Sequence, residues 1–246
     1  MRRKFRAVFF DLGKTLLYPK YSWQPVYLDS ATALANSLIN QNIEVNIKTF
    51  PLEYIDRLNQ YYAIREKTLR ERTTLRMLHQ LLEEKGFRDV STPVLRTALN
   101  AKYAITQRNW EIEEDTHPTL HALKQLGYQL VLISNAADDP DVQTLVDSNN
   151  LRHYFSFIRS SAAAGYRKPH PHMFEEALNY LNLSPGQCVM VGDTLDADIE
   201  GANNIGIYSI WINRYVNKDT KTLKDIRPKA VIQTLAELPK LLLEIS

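Results

Sequence analysis

Val8-Phe9-Phe10-Asp11-Leu12-Gly13-Lys14-Thr15-Leu16-Leu17 decides the fold, because an apolar run ends on a carboxylate and a turn-forming Gly follows. An uninterrupted apolar run reads as a strand buried on both faces, and open α/β sheets gather their chemistry where such strands end. Burying an unpaired carboxylate there costs several kcal/mol. Asp11 is therefore expected to be hydrogen-bonded into a turn, bound to a cation, or held as a nucleophile in a water-filled crevice.

A second apolar run, Cys188-Val189-Met190-Val191, is followed at once by Gly192-Asp193-Thr194-Leu195-Asp196-Ala197-Asp198. Between the two, Leu130-Val131-Leu132-Ile133 runs into Ser134-Asn135, and Gly165-Tyr166-Arg167-Lys168-Pro169 offers a lysine ahead of an expected helix. In one parallel sheet these strand ends share an edge, where carboxylates, a hydroxyl, an amide and an ammonium converge. Such a set suits phosphate chemistry: a cation on Asp11 and Asp193 neutralises phosphate oxygens, while Ser134, backbone N–H groups and Lys168 hold the rest of the anion. Oxygen-only ligands favour Mg²⁺ over zinc, and the lone Cys188, inside a strand, supplies no thiolate cluster.

The order of these segments resembles the haloacid dehalogenase superfamily of hydrolases across nearly the whole chain. Its four signatures match Asp11-Leu12-Gly13-Lys14-Thr15-Leu16, Ile133-Ser134-Asn135, Lys168-Pro169 and Gly192-Asp193-Thr194-Leu195-Asp196-Ala197-Asp198-Ile199-Glu200-Gly201-Ala202. The resemblance implies that Asp11 attacks phosphorus and that water hydrolyses the resulting aspartyl-phosphate, with Mg²⁺ and Lys168 stabilising the charge. It implies metal contacts from Asp11, the Gly13 carbonyl, Asp193 and Asp198, the last through water or by orienting Lys168. It also implies phosphate contacts from Ser134, Asn135 and Lys168, and a turn fixed by Thr15.

Position 13 departs from the family pattern, in which phosphatases carry a second Asp that protonates the leaving oxygen and then activates water. General acid–base help is worth about 10² to 10⁴ in rate, so Gly13 matters. A good leaving group, such as an acyl phosphate or pyrophosphate, needs no proton; Lys14, His170, a water or a residue of the helical insertion can supply one; or the fold persists with little turnover. The family's dehalogenase branch also lacks the second Asp, but it usually has an aromatic residue there and needs no metal. The resulting expectation is a phosphatase acting on a small phosphorylated metabolite. The alternatives are a catalytically impaired binding or regulatory protein and a 2-haloacid dehalogenase-type hydrolase.

At 246 residues and 44% hydrophobic content the chain can bury a full-sized core. A net charge of +2 advertises neither nucleic acid nor an anionic membrane as partner. No apolar stretch reaches a membrane span, Met1-Arg2-Arg3-Lys4 lacks the apolar run of a signal sequence, and a single Cys suits a reducing compartment, so a cytoplasmic monomer or homodimer is expected.

From 27 to 40, 50 to 70, 74 to 85 and 93 to 107 the apolar residues recur at helical spacing, with starts at Asp29-Ser30 and Ser91-Thr92-Pro93 and a stop at Gly86. Ala31, Leu34, Ala35 and Leu38 form a buried stripe. After 111, strand and helix alternate, implying βαβ units and a parallel sheet. The fold class is α/β: a three-layer Rossmann-like parallel sheet from 1–17 and 111–246, with an α-helical cap at 18–110. In the resemblance this is a type 1 cap that sets substrate choice.

Arg65-Glu66-Lys67-Thr68-Leu69-Arg70-Glu71-Arg72 reads as a solvated helix face with alternating pairs, or as a surface that draws in an anion. Tyr18, Tyr21, Trp23 and Trp110 read as packing at the joints of the insertion, or as a wall for the leaving group. Asp138, Asp139 and Asp141 read as helix-starting acids or as additional ligands, and His170 and His172 as turn residues beside Pro171 or as a metal-binding pair.

Overall fold

The computed structural model of the protein describes residues 4–215 and 225–245; of the Met1-Arg2-Arg3-Lys4 start, the first three residues lie outside that range. Its centre is β1 (Ala7–Phe10), four apolar residues that are all buried. A ribbon of β2 (Leu17–Pro19) and β3 (Trp110–Ile112), paired antiparallel, brackets four helices: α1 (Trp23–Ile39), α2 (Phe50–Thr68), α3 (Thr74–Glu84) and α4 (Thr92–Gln107). Then come α5 (Thr116–Gln125), β4 (Gln129–Ser134), α6 (Asp139–Ser148), β5 (Phe155–Ser160), α7 (Ser161–Ala164), α8 (His172–Leu181) and β6 (Cys188–Gly192). A wide π turn, Leu195–Ile199, leads into α9 (Glu200–Ile205), followed by β7 (Tyr208–Ile212), β8 (Ala230–Ile232) and α10 (Leu238–Glu244).

Six strands form one parallel sheet in the order β5-β4-β1-β6-β7-β8. This is the α/β Rossmann-like architecture, with helices on both faces. Side chains alternate across a strand, and here both faces are buried. Val8, Phe10, Leu130, Leu132, Val189 and Val191 enter one apolar cluster; Ala7, Phe9, Val131, Ile133, Cys188 and Met190 enter another. Two-sided burial explains why these strands read as continuous apolar runs.

Helices α1 to α4 enclose a third cluster of their own, built on Ala31, Leu34, Ala35 and Leu38 against Phe50, Tyr54, Met77 and Leu99. The start expected at Asp29-Ser30 is corrected: α1 begins at Trp23. Pro25 is accommodated in the first turn, where its missing N–H is not needed, and the Ser30 hydroxyl donates inside the helix to the Tyr27 carbonyl at 2.9 Å. Among the described residues no helix is long and apolar enough to cross a membrane.

Leu132, fully buried at the middle of β4, packs in the sheet's main cluster. Leu132→Ala is expected to cost about 2–5 kcal/mol of unfolding free energy through lost burial and a cavity, measured by urea denaturation.

Candidate active site

β1 and β6 pair in register, so Asp11 leaves the sheet beside Gly192, and its N–H donates to the Val191 carbonyl at 3.0 Å. The chain then folds back: Leu16 and Leu17 N–H both donate to the Leu12 carbonyl, and Lys14 takes a left-handed φ of 59°. These backbone bonds hold the turn. The role expected of Thr15 is corrected: its hydroxyl is fully buried and has no hydrogen-bond partner among the described residues.

Lys168 is 1% exposed, and its Nζ donates to Asp11 Oδ1 and to the Ile133 carbonyl, both at 2.7 Å. Asp198 Oδ1 lies a further 2.7 Å from the same nitrogen. Burial alone pushes an ammonium toward losing its proton, but the two carboxylates outweigh it and hold Lys168 above its ordinary value. The loop that carries Lys168 is clasped by Asn135, whose Oδ1 accepts from Lys168 N–H at 2.8 Å and whose Nδ2 donates to Lys168 C=O at 2.9 Å.

Position 192 must be glycine. A Cβ there would stand 2.3 Å from the Asp198 carboxyl, so Asp198 occupies the volume a side chain would need. Asp198 Oδ2 accepts the Thr194 N–H at 3.1 Å. Asp193 is oriented through its neighbours: the Thr194 hydroxyl donates to its Oδ1 at 3.0 Å, and the Trp211 indole N–H donates to its carbonyl at 2.8 Å.

Carboxylate oxygens of Asp11, Asp193 and Asp198 lie within 4.8 Å of one another. Burial and then the neighbouring Asp11 raise Asp193 to about 6. Burial, with Asp11 and Asp193 adding to it and Lys168 opposing, raises Asp198 to about 7. A clustered set of hard oxygen donors that resists carrying its full charge alone fits a divalent cation of the Mg²⁺ type. Burial pushes the Cys188 thiol up to about 12, which removes it as a soft ligand.

These groups floor a cavity of about 430 Å³ whose walls include Ser134, Trp110, Asp141, Val142, Leu145, Arg65, Glu66 and Arg167. A profile of the haloacid dehalogenase-like hydrolases matches residues 5–206. The chain belongs to that family. It is 28% identical over 244 residues to the 5-amino-6-(5-phospho-D-ribitylamino)uracil phosphatase YigB of Escherichia coli, covering 97% of each chain. It is 24% identical over 213 residues to the Bos taurus haloacid dehalogenase-like hydrolase domain-containing protein 3, covering 86% of this chain and 83% of that one. A crystal structure of 2-haloacid dehalogenase from Pseudomonas syringae superposes with a TM-score of 0.67 at 26% identity, covering 98% of this chain and 100% of that one.

Within this haloacid dehalogenase-like hydrolase, Asp11, Gly13, Ser134, Asn135, Lys168, Asp193 and Asp198 all line the one cavity. Asn135, expected on the phosphate, lines the cavity and places both ends of its carboxamide on the Lys168 backbone. Of the aromatic residues near β2 and β3, Trp110 faces the cavity, and Trp23 packs on it edge-on at 5.1 Å. Tyr18 donates to Glu111 at 2.7 Å, and Tyr21 is 69% exposed. His170 stacks on Tyr166 at 4.2 Å and is absent from the cavity wall, so it is no proton source for the site.

Two groups of the wall escape a reading by sequence. For Asp141 the first expectation is a helix start, and Asp138 does cap α6 by accepting the Asp141 N–H at 3.2 Å. Asp141 also lines the cavity, accepts from Gln107 of α4 at 2.8 Å and is raised by burial to about 6. Arg167, beside Lys168, is 4% exposed. Its one sequence signal is its place next to a lysine already singled out.

Asp193 and Asp198 bind protons more tightly folded than unfolded, so without a cation their contribution to stability falls as pH rises from about 4 to about 7. Mg²⁺, which binds the deprotonated carboxylates, is expected to raise the melting temperature at pH 8 and to have no effect below pH 5; thermal scans with and without Mg²⁺ check this.

Proposed function

We propose that the protein is a Mg²⁺-dependent phosphatase of small phosphorylated metabolites working through an aspartyl-phosphate on Asp11. The observation that carries this reading is the Lys168 ammonium held 2.7 Å from both Asp11 and Asp198 in the cavity that also contains Asp193. Phosphatase relatives such as YigB support it. Asp11, Asp193, Asp198 and the Gly13 carbonyl would hold Mg²⁺, which supplies charge neutralisation for the phosphoryl oxygens.

In this reading Lys168 holds Asp11 in place through its 2.7 Å contact, and shares the charge of the phosphoryl group in attack and in hydrolysis. Ser134, buried at the end of β4, hydrogen-bonds a phosphoryl oxygen. Residues 18–110 act as the cap over 1–17 and 111–246, with Trp110, Arg65 and Glu66 on the leaving-group side. Gly13 offers no side chain to protonate the leaving oxygen, and substrates with weakly basic leaving groups are favoured.

Phosphate release from a panel of phosphorylated metabolites and acyl phosphates tests the reading. Release that needs Mg²⁺ and falls at least 10³-fold in Asp11→Asn is expected. Mg²⁺-independent halide release from a 2-haloacid, or turnover that survives Asp11→Asn, would overturn it.

Trp110 decides what an acid at position 13 can do, because a Cβ on Gly13 would meet its Cη2 at 3.0 Å. Gly13→Asp alone is expected to gain nothing on alkyl phosphates. Gly13→Asp with Trp110→Ala, which vacates that space, is expected to gain roughly tenfold or more in kcat/KM on them and little on acyl phosphates.

A further inference from the structure

The segment joining α2 to α3 lies across both loops that carry the phosphate-holding groups. Leu69, at a left-handed φ of 51°, ends α2 and turns the chain toward the sheet. Arg70 and Tyr166 then form an antiparallel bridge, flanked by Glu71 N–H donating to the Gly165 carbonyl at 3.0 Å and Arg167 N–H donating to the Leu69 carbonyl at 2.9 Å. Four residues on, Thr74 donates through its N–H to the Ala137 carbonyl and through its hydroxyl to Asp138 Oδ2, both at 2.9 Å. One strap thus touches the Lys168 loop and the loop after Ser134.

Glu71 is the pin of this strap. Its side chain is fully buried and accepts from the Tyr61 hydroxyl, the Ser161 hydroxyl at 2.5 Å and Arg167 Nη1 at 2.7 Å. A solvated helix face, the reading for this charged run, is therefore corrected at Glu71: its partners come from α2, α7 and the residue next to Lys168. Arg167 is equally out of water, and Glu71 is the better buried of its two carboxylate partners. Each charge of such a pair is tolerated only while the other is present.

We propose that Glu71 is a positioning residue: through Arg167 it sets the backbone of Lys168, so that the lysine is aligned only while α1 to α4 are seated on the sheet. The proposal rests on the reading of Lys168 as a phosphoryl-holding group. Arg167 and Lys168 are adjacent in the chain, and the Lys168 peptide is gripped on its other side by Asn135. The lysine loop is held between a clamp from the sheet and a clamp from the helices. Release of the second clamp frees Lys168 to shift, and a shift of about 1 Å in a catalytic group costs up to about 10² in rate.

Glu71→Gln keeps the shape and one acceptor and deletes the charge. It is read by kcat and KM on an aryl phosphate at saturating Mg²⁺, and by backbone hydrogen exchange over 161–170. The expected result is a kcat lower by roughly 10- to 100-fold, a KM within about threefold of the parent, and faster exchange at 165–170. Tyr61→Phe, which removes one donor and leaves the ion pair, is expected to move both quantities the same way by less. A folded Glu71→Gln variant with parental kcat and parental exchange at 165–170 would overturn the proposal. If Glu71→Gln does not fold, Tyr61→Phe decides, and an unchanged kcat overturns it. Should the parent turn over no phosphoryl substrate, the phosphatase reading fails, and the exchange measurement alone decides whether Glu71 holds the lysine loop.

Discussion

A lysine with almost no contact with water, placed between two carboxylates, is the constraint on which the rest of the structure depends. Lys168 keeps its proton because Asp11 and Asp198 flank it, and Asp11 tolerates burial because Lys168 faces it. The three side chains arrive from three places: the end of β1, the loop before α8 and the turn after β6. Only a parallel sheet in which β1 and β6 are neighbours delivers them to one edge. Six strands and their flanking helices thus serve to hold charges in positions that water would otherwise screen.

The third acid makes the arrangement incomplete on its own. With Asp193 added, three carboxylates face one ammonium, and burial lifts Asp193 and Asp198 toward their protonated forms. In the proposed function a divalent cation would resolve the excess of negative charge, and a phosphoryl group would then find positive charge on two sides. The opposing wall is of different character: Trp110, Val142 and Leu145 are apolar, whereas Arg65, Glu66 and Arg167 are paired ions.

Much of this was legible in the chain because burial on both faces writes a strand as an unbroken apolar run. Val8 to Phe10, Leu130 to Ile133 and Cys188 to Val191 all declare themselves in that way, and a polar residue marks the edge where each ends, directly after the first two and one glycine later after the third. The helices between β2 and β3 were legible from stripes such as Ala31, Leu34, Ala35 and Leu38. What could not be read depends on how those helices meet the sheet. The indole of Trp110 against Gly13, the burial of Glu71 inside a charged run, the use of Asn135 on a backbone and the entry of Asp141 into the cavity are contacts between segments far apart in sequence. Local patterning carries no record of them. Thr15 is the converse case, a residue expected to fix the turn whose buried hydroxyl finds no hydrogen-bond partner among the described residues.

The contact between Gly192 and Asp198 bears on how such a chain can change over time. Since the carboxyl fills the space of a missing side chain, any replacement at 192 expels Asp198 and takes from Lys168 one of its two counter-charges. The strand itself would survive, as β6 is buried and paired on both sides. Within the proposed function, one substitution would therefore silence the reaction through Asp198 and Lys168 while leaving β6 and its pairings in place. In that function, passage from a protein that turns over its ligand to one that only holds it would take, at this position, a single step.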